Sequence, residues 1–219
     1  VNEKADYYSD NLQMKGEKIS FDFHTKDGET HQFEWEIPGI HNVENATGAL
    51  ALLHHLGVDF EVLKKAIAGF KGIKRRYTRH KFADGKIYVD DYAHHPTEVE
   101  ALLSAAREVA DARGGRLLVL FQPHLFSRTR NFAQRFSAAL AKADKTIVID
   151  IYPARETQAD FPQVTSALLA NGTNVQYVSG REAGALQLAS EAKPGDLVLT
   201  VGAGDVTELA NVIIDAIGE

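Results

Sequence analysis

The feature that most constrains the fold is a regular alternation of apolar strands and helical segments that begins after residue 76. The run 117–121 is continuously apolar, and 146–149 is apolar after its first residue, Thr146, as is typical of strands buried on both faces of a sheet. Strands are predicted near residues 78–83, 86–91, 116–121, 145–150, 175–178 and 196–201, and helices near 97–112, 129–142, 165–170, 181–191 and 205–217. Such an alternation predicts an α/β fold, a mostly parallel sheet flanked by helices on both faces. Asp84-Gly85 predicts an antiparallel hairpin at one end of that sheet.

The first 70 residues follow a different pattern. Polar and apolar side chains alternate over 18–23 and 31–36 with a turn between them, which predicts a hairpin. Two helices are then predicted, one over 42–56 and one over 59–68. A short basic segment, 71–76, separates this part from the alternating part of the chain.

Composition narrows the function classes. The chain has 219 residues, of which 44% are hydrophobic and 25% charged, the proportions of a globular protein. The absence of cysteine excludes disulfides, thiolate zinc sites and cysteine nucleophiles. A net charge of −6 argues against nucleic acid as the main partner, and no apolar run reaches the ~18 residues of a membrane span. Because residues 1–6 do not look like a secretory signal, we expect a cytoplasmic protein.

Unusual polar residues follow the predicted strands at their carboxyl ends, which is where open α/β sheets bind ligands. These loops bring acidic, histidine, arginine and glycine residues to one edge of the sheet, and they cover 90–96, 122–130, 150–156 and 202–205. The turns at the opposite edge contain no comparable cluster. This asymmetry predicts a functional rim.

The loop that begins at Asp90 permits more than one interpretation. Asp90 and Asp91 could simply end a strand, and the segment 97–100 matches a helix capping box. Yet two adjacent carboxylates followed by His94 and His95 exceed what a cap needs. They could hold the hydroxyl pair of a ribose, or a metal ion with oxygen and imidazole ligands.

Two further loops differ in how strongly they favour anions. Arg128 and Arg130 fall at the start of a predicted helix, where backbone N–H groups attract anions and acidic residues are more usual. With His124 nearby they indicate an anion site, the alternative being solvated surface charges.

The sequence 202–205 is more typical of a tight turn than of an anion nest. It is also a weak match to a dinucleotide fingerprint, because Thr207 stands at the third glycine position. The chain contains no GxxxxGK[ST] phosphate-binding loop.

Six motifs, in this order, resemble the Mur ligase family of ATP-dependent peptidoglycan amino-acid ligases. They are GIHNVENA at 39–46, GIKRR at 72–76, DDYAHHPTE at 90–98, FQPH at 121–124 with SRTR at 127–130, YPARE at 152–156 and GAGD at 202–205. Family members have a UDP-binding domain, a central ATPase domain with a P-loop, and a Rossmann-like third domain. The resemblance implies that residues 1–75 are the C-terminal part of the central domain and residues 76–219 the Rossmann-like C-terminal domain. It therefore implies a C-terminal fragment that begins inside the ATPase domain.

The resemblance also implies an activity for the full-length enzyme. ATP, with Mg²⁺ held mainly by residues upstream of this sequence, would phosphorylate the carboxylate of UDP-N-acetylmuramate. The amine of L-alanine would then attack the acyl phosphate, a step of peptidoglycan biosynthesis that supports cell shape and division. The fragment alone is expected to be inactive.

Residue roles carry over only where the motifs match. Around the nucleotide, the resemblance implies Asn42 at the adenine with Asn45 in support, and Asp91 at the ribose with Tyr92 and His94 lining the same cleft. Around the transferred group, it implies Arg76 near the phosphates, and His124, Arg128 and Arg130 at the L-alanine carboxylate or the acyl phosphate. Where the family commonly has Arg-Tyr, this chain has Leu125-Phe126, so no role is carried over to those two positions.

Three alternatives stay open on the sequence alone. A family member that recycles murein tripeptide shares the DD-aromatic-AHHP loop, although it usually lacks the QPH and SRTR motifs. The chain could instead be a nucleotide- or anion-binding module without catalysis. The third alternative is a metal-dependent hydrolase built on Asp90, Asp91, His94, His95 and His124.

Overall fold

Two separate β-sheets organise the described chain, which in this computed structural model comprises residues 3–15 and 18–218, without the side chain of Lys15. The three-stranded sheet belongs to a compact unit, Val1–Gly72, and the six-stranded sheet to a second unit, Ile73–Glu219. The expected domain boundary after residue 75 lies three residues beyond this division.

The first unit combines an antiparallel sheet with two helices. Its strands are β1 (Tyr8–Lys15), β2 (Lys18–His24) and β3 (Thr30–Trp35), and its helices are α1 (Ile40–His55) and α2 (Phe60–Gly69). Alternating apolar residues of β2 and β3 are buried together with residues of both helices, among them Phe21, Phe23, Phe33, Trp35, Val43, Leu50 and Leu63. The predicted hairpin, β2 with β3, is therefore present and its aromatic side chains form the core.

Strand β1 is absent from the sequence prediction because its inward-facing position is polar. Ser9 is fully buried, and its hydroxyl lies 2.6 Å from that of Thr47. The register shifts between Asp10 and Gln13, and Asn11 has a φ of 50°. A bulged edge strand of this kind lacks the apolar alternation from which strands are predicted.

The second unit is a mostly parallel sheet in the order β4-β5-β9-β6-β7-β8. Its strands are β4 (Thr78–Lys81), β5 (Ile87–Asp91), β6 (Leu117–Phe121), β7 (Lys145–Val148), β8 (Val175–Tyr177) and β9 (Leu197–Val201). Its helices are α3 (Pro96–Arg113), α4 (Phe126–Asn131), α5 (Ala133–Leu140), α6 (Arg181–Glu191) and α7 (Ala210–Gly218). Strand β4 pairs antiparallel with β5 and the other neighbours are parallel, as predicted.

Helices cover both faces of this sheet. Leu118 and Leu120 of β6 pack in one cluster with residues of α6 and α7. The intervening side chains point the other way, and Phe121 lies 5.4 Å from Phe136 of α5, measured between ring centroids. The expected α/β class is confirmed.

Three helical predictions need correction. The segment 129–142 is two short helices, because the backbone of Phe132 leaves the helical conformation and its ring packs 5.4 Å from that of His95. The segments predicted at 165–170 and at the start of 205–217 are the 3-10 turns Ser166–Leu169 and Asp205–Leu209. Apolar spacing alone does not distinguish a short 3-10 turn from a short α-helix.

Strand β9 inserts between β5 and β6, although the chain runs from β5 through α3 directly to β6. The crossover therefore passes over the position that β9 fills at the end of the chain. Such a reversal of strand order leaves a crevice at the carboxyl ends of the strands.

Candidate functional site

Parallel pairing aligns the carboxyl ends of the three central strands. Val201 of β9 is in register with Asp91 of β5 on one side and with Phe121 of β6 on the other. The loops that follow these strands therefore begin side by side. The loop after β7 joins them through a bridge between His124 and Tyr152. The predicted convergence of the polar loops at one edge is present, and we call this edge the rim.

Asp90 lies beneath the rim in a buried hydrogen-bond chain. Its carboxylate accepts from the hydroxyl of Thr200 at 2.9 Å and from that of Thr207 at 2.8 Å. The phenol oxygen of Tyr88 lies 2.6 Å from the Thr200 hydroxyl. Burial raises the pKa of Tyr88 well above its ordinary value, so the phenol keeps its proton. Asp90 therefore joins β5 to β9 and is not presented to a ligand.

Asp91 holds the backbone at the start of the loop after β5. Its two carboxylate oxygens accept from the N–H of Ala93 and from the N–H of Tyr77, each at 2.8 Å. Burial raises the pKa of Asp91 to about 6, against the backbone N–H donors and the charge of Arg76, which lower it. A ribose role for Asp91 stays a prediction, and the residue in any case fixes the loop conformation.

The two histidines of this loop have separate surroundings. His95 is the N-cap residue of α3, and Glu98 accepts from the backbone N–H groups of His94 and His95 at 3.0 and 3.1 Å. The capping interaction therefore uses Glu98, where the sequence pattern predicted residues 97 and 100. The His94 ring faces the rim and lies 5.7 Å from the ring of His124, between centroids.

His124 is the centre of a half-buried cluster. Its ring stacks on Tyr152 at 5.6 Å, and its Nδ1 lies 3.5 Å from a guanidinium nitrogen of Arg128. Burial, reinforced by the charge of Arg128 and by the neighbouring His94, holds the pKa of His124 below its ordinary value. The imidazole is therefore neutral near pH 7 and offers both a donor and an acceptor.

The two arginines of α4 point to different surroundings. Arg128 also donates to the backbone oxygen of His94 at 3.4 Å, which places it at the rim. Arg130 is exposed, and its guanidinium lies 5.3 Å from the ring of Phe161. Of the two, Arg128 is the one brought together with His124.

Side-chain bonds tie the rim loops to one another. Gln122 donates to Asp205 at 2.7 Å and accepts from the N–H of Val206 at 3.0 Å, linking the loops after β6 and β9. Glu156 accepts from the hydroxyl and the N–H of Ser127, linking the loop after β7 to α4. The tight turn interpretation of 202–205 agrees with this packing, since a Cβ on Gly204 would lie 2.4 Å from the Gln122 side chain.

Backbone strain concentrates at the rim. Among the described residues, the non-glycine positions with positive φ include Arg75 at 61°, Tyr77 at 55°, Leu125 at 73° and Ala154 at 51°. Each such conformation costs of order 1 kcal/mol or more and persists only where the surroundings hold it. The buried Leu125 explains why the position after His124 does not present its side chain to the rim.

Arg75 is a rim residue that the sequence pattern does not distinguish from its basic neighbours. Its guanidinium lies 4.6 Å from the ring centroid of Tyr92, while the exposed Arg76 lies 5.7 Å from the same centroid. A positive φ and a half-buried guanidinium are tertiary properties. The only signal in the sequence is the unusual density of arginine and lysine over 71–76.

Asn42 and Asn45 belong to the first unit, on the first turns of α1. Asn42 donates its amide to the backbone oxygen of Pro38 at 2.7 Å, so the group it offers to a ligand is its Oδ1 acceptor. That orientation suits a donor such as the amino group of adenine. Asn45 is exposed.

Clusters of metal ligands and helices able to span a membrane are both absent from the described ranges. Within 3–15 and 18–218, no three His, Asp or Glu side chains are arranged to hold a metal ion. The five residues of the hydrolase alternative include Asp90, whose oxygens bind threonine hydroxyls, and His95, which caps α3. Among the helices of the same ranges, none has the length and apolar character to cross a membrane.

Comparison with known proteins identifies relatives of both units. A family model described as Mur ligase, glutamate ligase domain, matches residues 75–204, and one described as Mur ligase middle domain matches residues 1–53. The UDP-N-acetylmuramate–L-alanine ligase of Paenarthrobacter aurescens is 49% identical over 193 residues, covering 88% of this chain and 41% of the relative. The enzyme of that name from Thermobifida fusca is 42% identical over 223 residues, covering 98% and 47%. The chain thus spans less than half the length of these relatives.

Solved structures give the same result for the fold. The crystal structure of the UDP-N-acetylmuramate–alanine ligase of Thermotoga maritima matches with a TM-score of 0.78 and 25% identity, over 98% of this chain and 46% of that one. A MurF structure from Acinetobacter baumannii, at 21% identity and a TM-score of 0.72 over 98% and 45%, supports the fold alone. Because the ligase-domain model covers more than half of the residues, the chain belongs to the Mur ligase family.

Proposed function

We propose that this chain is the C-terminal part of an ATP-dependent ligase that joins L-alanine to UDP-N-acetylmuramate. The observation that carries the proposal is identity of 42–49% to relatives named UDP-N-acetylmuramate–L-alanine ligase, over most of the chain. ATP supplies the phosphoryl group that activates the muramate carboxylate. A family member, the MurF ligase of Thermotoga maritima, was crystallised with ADP. A role of Mg²⁺ and a cytoplasmic location stay predictions.

On the nucleotide side, we propose that Asn42 receives the adenine, with Asn45 in support. Asp91 fixes the loop that carries Tyr92 and His94, and these two side chains are proposed to face the ribose. The supporting geometry is the pair of backbone bonds to Asp91 and the edge-on contact of the Tyr92 and His94 rings at 5.2 Å.

On the side of the transferred group, Arg76 is proposed to neutralise phosphate charge. Arg128 and His124 are proposed to position the amino-acid carboxylate or the acyl phosphate, with Arg130 nearby. Such phosphoryl-transfer chemistry depends on positioning and charge stabilisation more than on a nucleophilic side chain. The support is a rim with a guanidinium beside a neutral imidazole.

The test is turnover by a protein of full family length that contains this chain. Release of ADP and phosphate should require UDP-N-acetylmuramate and L-alanine together, and omission of either should reduce the rate to background. Preference for a murein tripeptide over L-alanine would favour the recycling ligase instead. Nucleotide binding without turnover would favour the non-catalytic module.

Separate variants assign the residue roles. Arg128→Lys keeps the charge and loses the planar fork, so it should raise KM for L-alanine about tenfold or more with a smaller effect on KM for ATP. Asn42→Ala should raise KM for ATP and have a smaller effect on KM for L-alanine. Equal changes in both constants for both variants would contradict the separate roles proposed for Arg128 and Asn42.

A further inference from the structure

Arg75 is fixed by its backbone before its side chain makes any contact. Its N–H donates to the hydroxyl of Thr78 at 2.9 Å, and its carbonyl accepts from the N–H of Tyr92 at 2.8 Å. These bonds hold a φ of 61°, which an arginine rarely adopts. The side chain is thereby directed from the entry of the second unit toward the loops after β5 and β9.

The guanidinium of Arg75 contacts both of those loops. One terminal nitrogen donates to the carbonyl of Gly202 at 2.8 Å and to that of Gly204 at 3.2 Å. The ring of Tyr92 lies 4.6 Å from the guanidinium carbon, a stacking distance. The Nε atom lies 3.9 Å from the carboxylate of Asp90.

These partners have little freedom of their own. The N–H of Gly202 donates to the carbonyl of Asp91 at 3.0 Å, and a Cβ at Gly202 would lie 2.8 Å from the backbone oxygen of Gln122. Asp90 is held by two threonine hydroxyls and so provides a fixed counter-charge. A lysine ammonium has three donors and could bond both carbonyls. It has no planar group to stack on the Tyr92 ring at the same time, and no second nitrogen to face Asp90.

We infer that Arg75 is a positioning residue that holds the Tyr92 ring and the Gly202–Gly204 turn in the geometry that receives the nucleotide. The inference deepens the proposed function and rests on it for the word nucleotide, whereas the clamp between the two loops stands on the contacts alone. Arg75 and Arg76 therefore have different roles, since Arg75 binds backbone carbonyls and Arg76 is exposed and can contact a ligand.

The matched control is Arg107, whose side chain also contacts a backbone carbonyl and carboxylates, but at the opposite edge of the sheet. It donates to the carbonyl of Gly115 at 3.3 Å and pairs with Asp111 at 2.8 Å and with Asp144. Arg107→Lys therefore removes comparable contacts without touching the rim.

The first measurement is amide hydrogen exchange in the unliganded full-length protein. Arg75→Lys should raise exchange at 92–95 and 202–206 about tenfold and leave the strand 117–121 unchanged. Arg107→Lys should leave both rim loops as in the wild type. Unchanged exchange in both loops of Arg75→Lys would overturn the inference, whether or not the protein is a ligase.

The second measurement is steady-state kinetics of the same variants. Arg75→Lys should raise KM for ATP about tenfold while kcat falls less, and Arg107→Lys should lower only the melting temperature. If Arg75→Lys lowered the melting temperature and left KM for ATP unchanged, Arg75 would have only a structural role and the inference would be overturned. A wild-type protein without ligation would instead refute the proposed function, leaving the exchange measurement to decide the clamp.

Discussion

The carboxylate of Asp91 gives the rim a defined pH dependence. Its pKa of about 6 in the folded state exceeds the ordinary value near 3.9, so between these values the folded state binds more protons than the unfolded state. The contribution of Asp91 to the free energy of unfolding should therefore increase as the pH falls through 6, by up to about 3 kcal/mol, and this gain should be complete below about pH 4. The gain is lost again as the pH rises through 6.

Urea denaturation of the wild type and of Asp91→Asn between pH 4.5 and 7 isolates this contribution, since other groups titrate in both proteins. The wild type should lose stability relative to the variant as the pH rises. Asp91→Asn should also cost about 1–3 kcal/mol at low pH, because its NH₂ group faces a backbone N–H. Parallel pH profiles would show that Asp91 titrates normally.

His124 should titrate below its ordinary pKa because it is half-buried and lies beside Arg128. Arg128→Gln removes that charge, so the pKa of His124 should rise toward the ordinary value. The ring proton shifts of His124, followed by NMR from pH 4 to 8, measure this directly. Replacement of the exposed Arg130 by Gln provides the control, and an equal shift in both variants would contradict the placement of Arg128.

At the scale of elements, the sequence predicts strands well where both faces are buried. Leu117–Phe121 is apolar throughout and Leu197–Val201 is apolar except at Thr200, so both strands could be predicted from the pattern alone. Strand β1 and the break at Phe132 could not be predicted from the pattern. The bulged polar edge strand and the packing of the Phe132 ring on His95 depend on residues that are distant in the sequence. The same distinction applies to the rim, where strand order brings the loops together but only tertiary contacts single out Arg75.

The start of α3 offers a test of the corrected cap. Glu98→Ala removes the acceptor for the N–H groups of His94 and His95, so it should lower the free energy of unfolding by about 1–2 kcal/mol. That corresponds to a fall in melting temperature of roughly 2–6 °C. Glu108→Ala, an exposed site on the same helix, should change it little. Equal effects would place the capping interaction elsewhere.

At the scale of the whole molecule, we expect the division into two units to be visible in solution. Lys71, near the end of the unit Val1–Gly72, and Lys74, near the start of the unit Ile73–Glu219, are exposed, whereas the arginine side chain at position 75 is engaged in hydrogen bonds. Limited digestion with trypsin should therefore cut first after Lys71 or Lys74 and leave the second unit intact, as mass spectrometry of the fragments would show. First cuts between residues 87 and 148 would contradict a compact second unit.

The chain spans less than half the length of the relatives that share its family, and its rim brings the guanidinium of Arg128 beside the imidazole of His124. We proposed above that this rim serves a ligase in which ATP activates a carboxylate. The most direct measurement uses the full-length protein, L-alanine, ATP and UDP-N-acetylmuramate labelled with ¹⁸O in its carboxylate. A ligase of this kind should form ligated product and release phosphate that carries one ¹⁸O atom per molecule. Phosphate without ¹⁸O, or ATP consumption without ligated product, would contradict it.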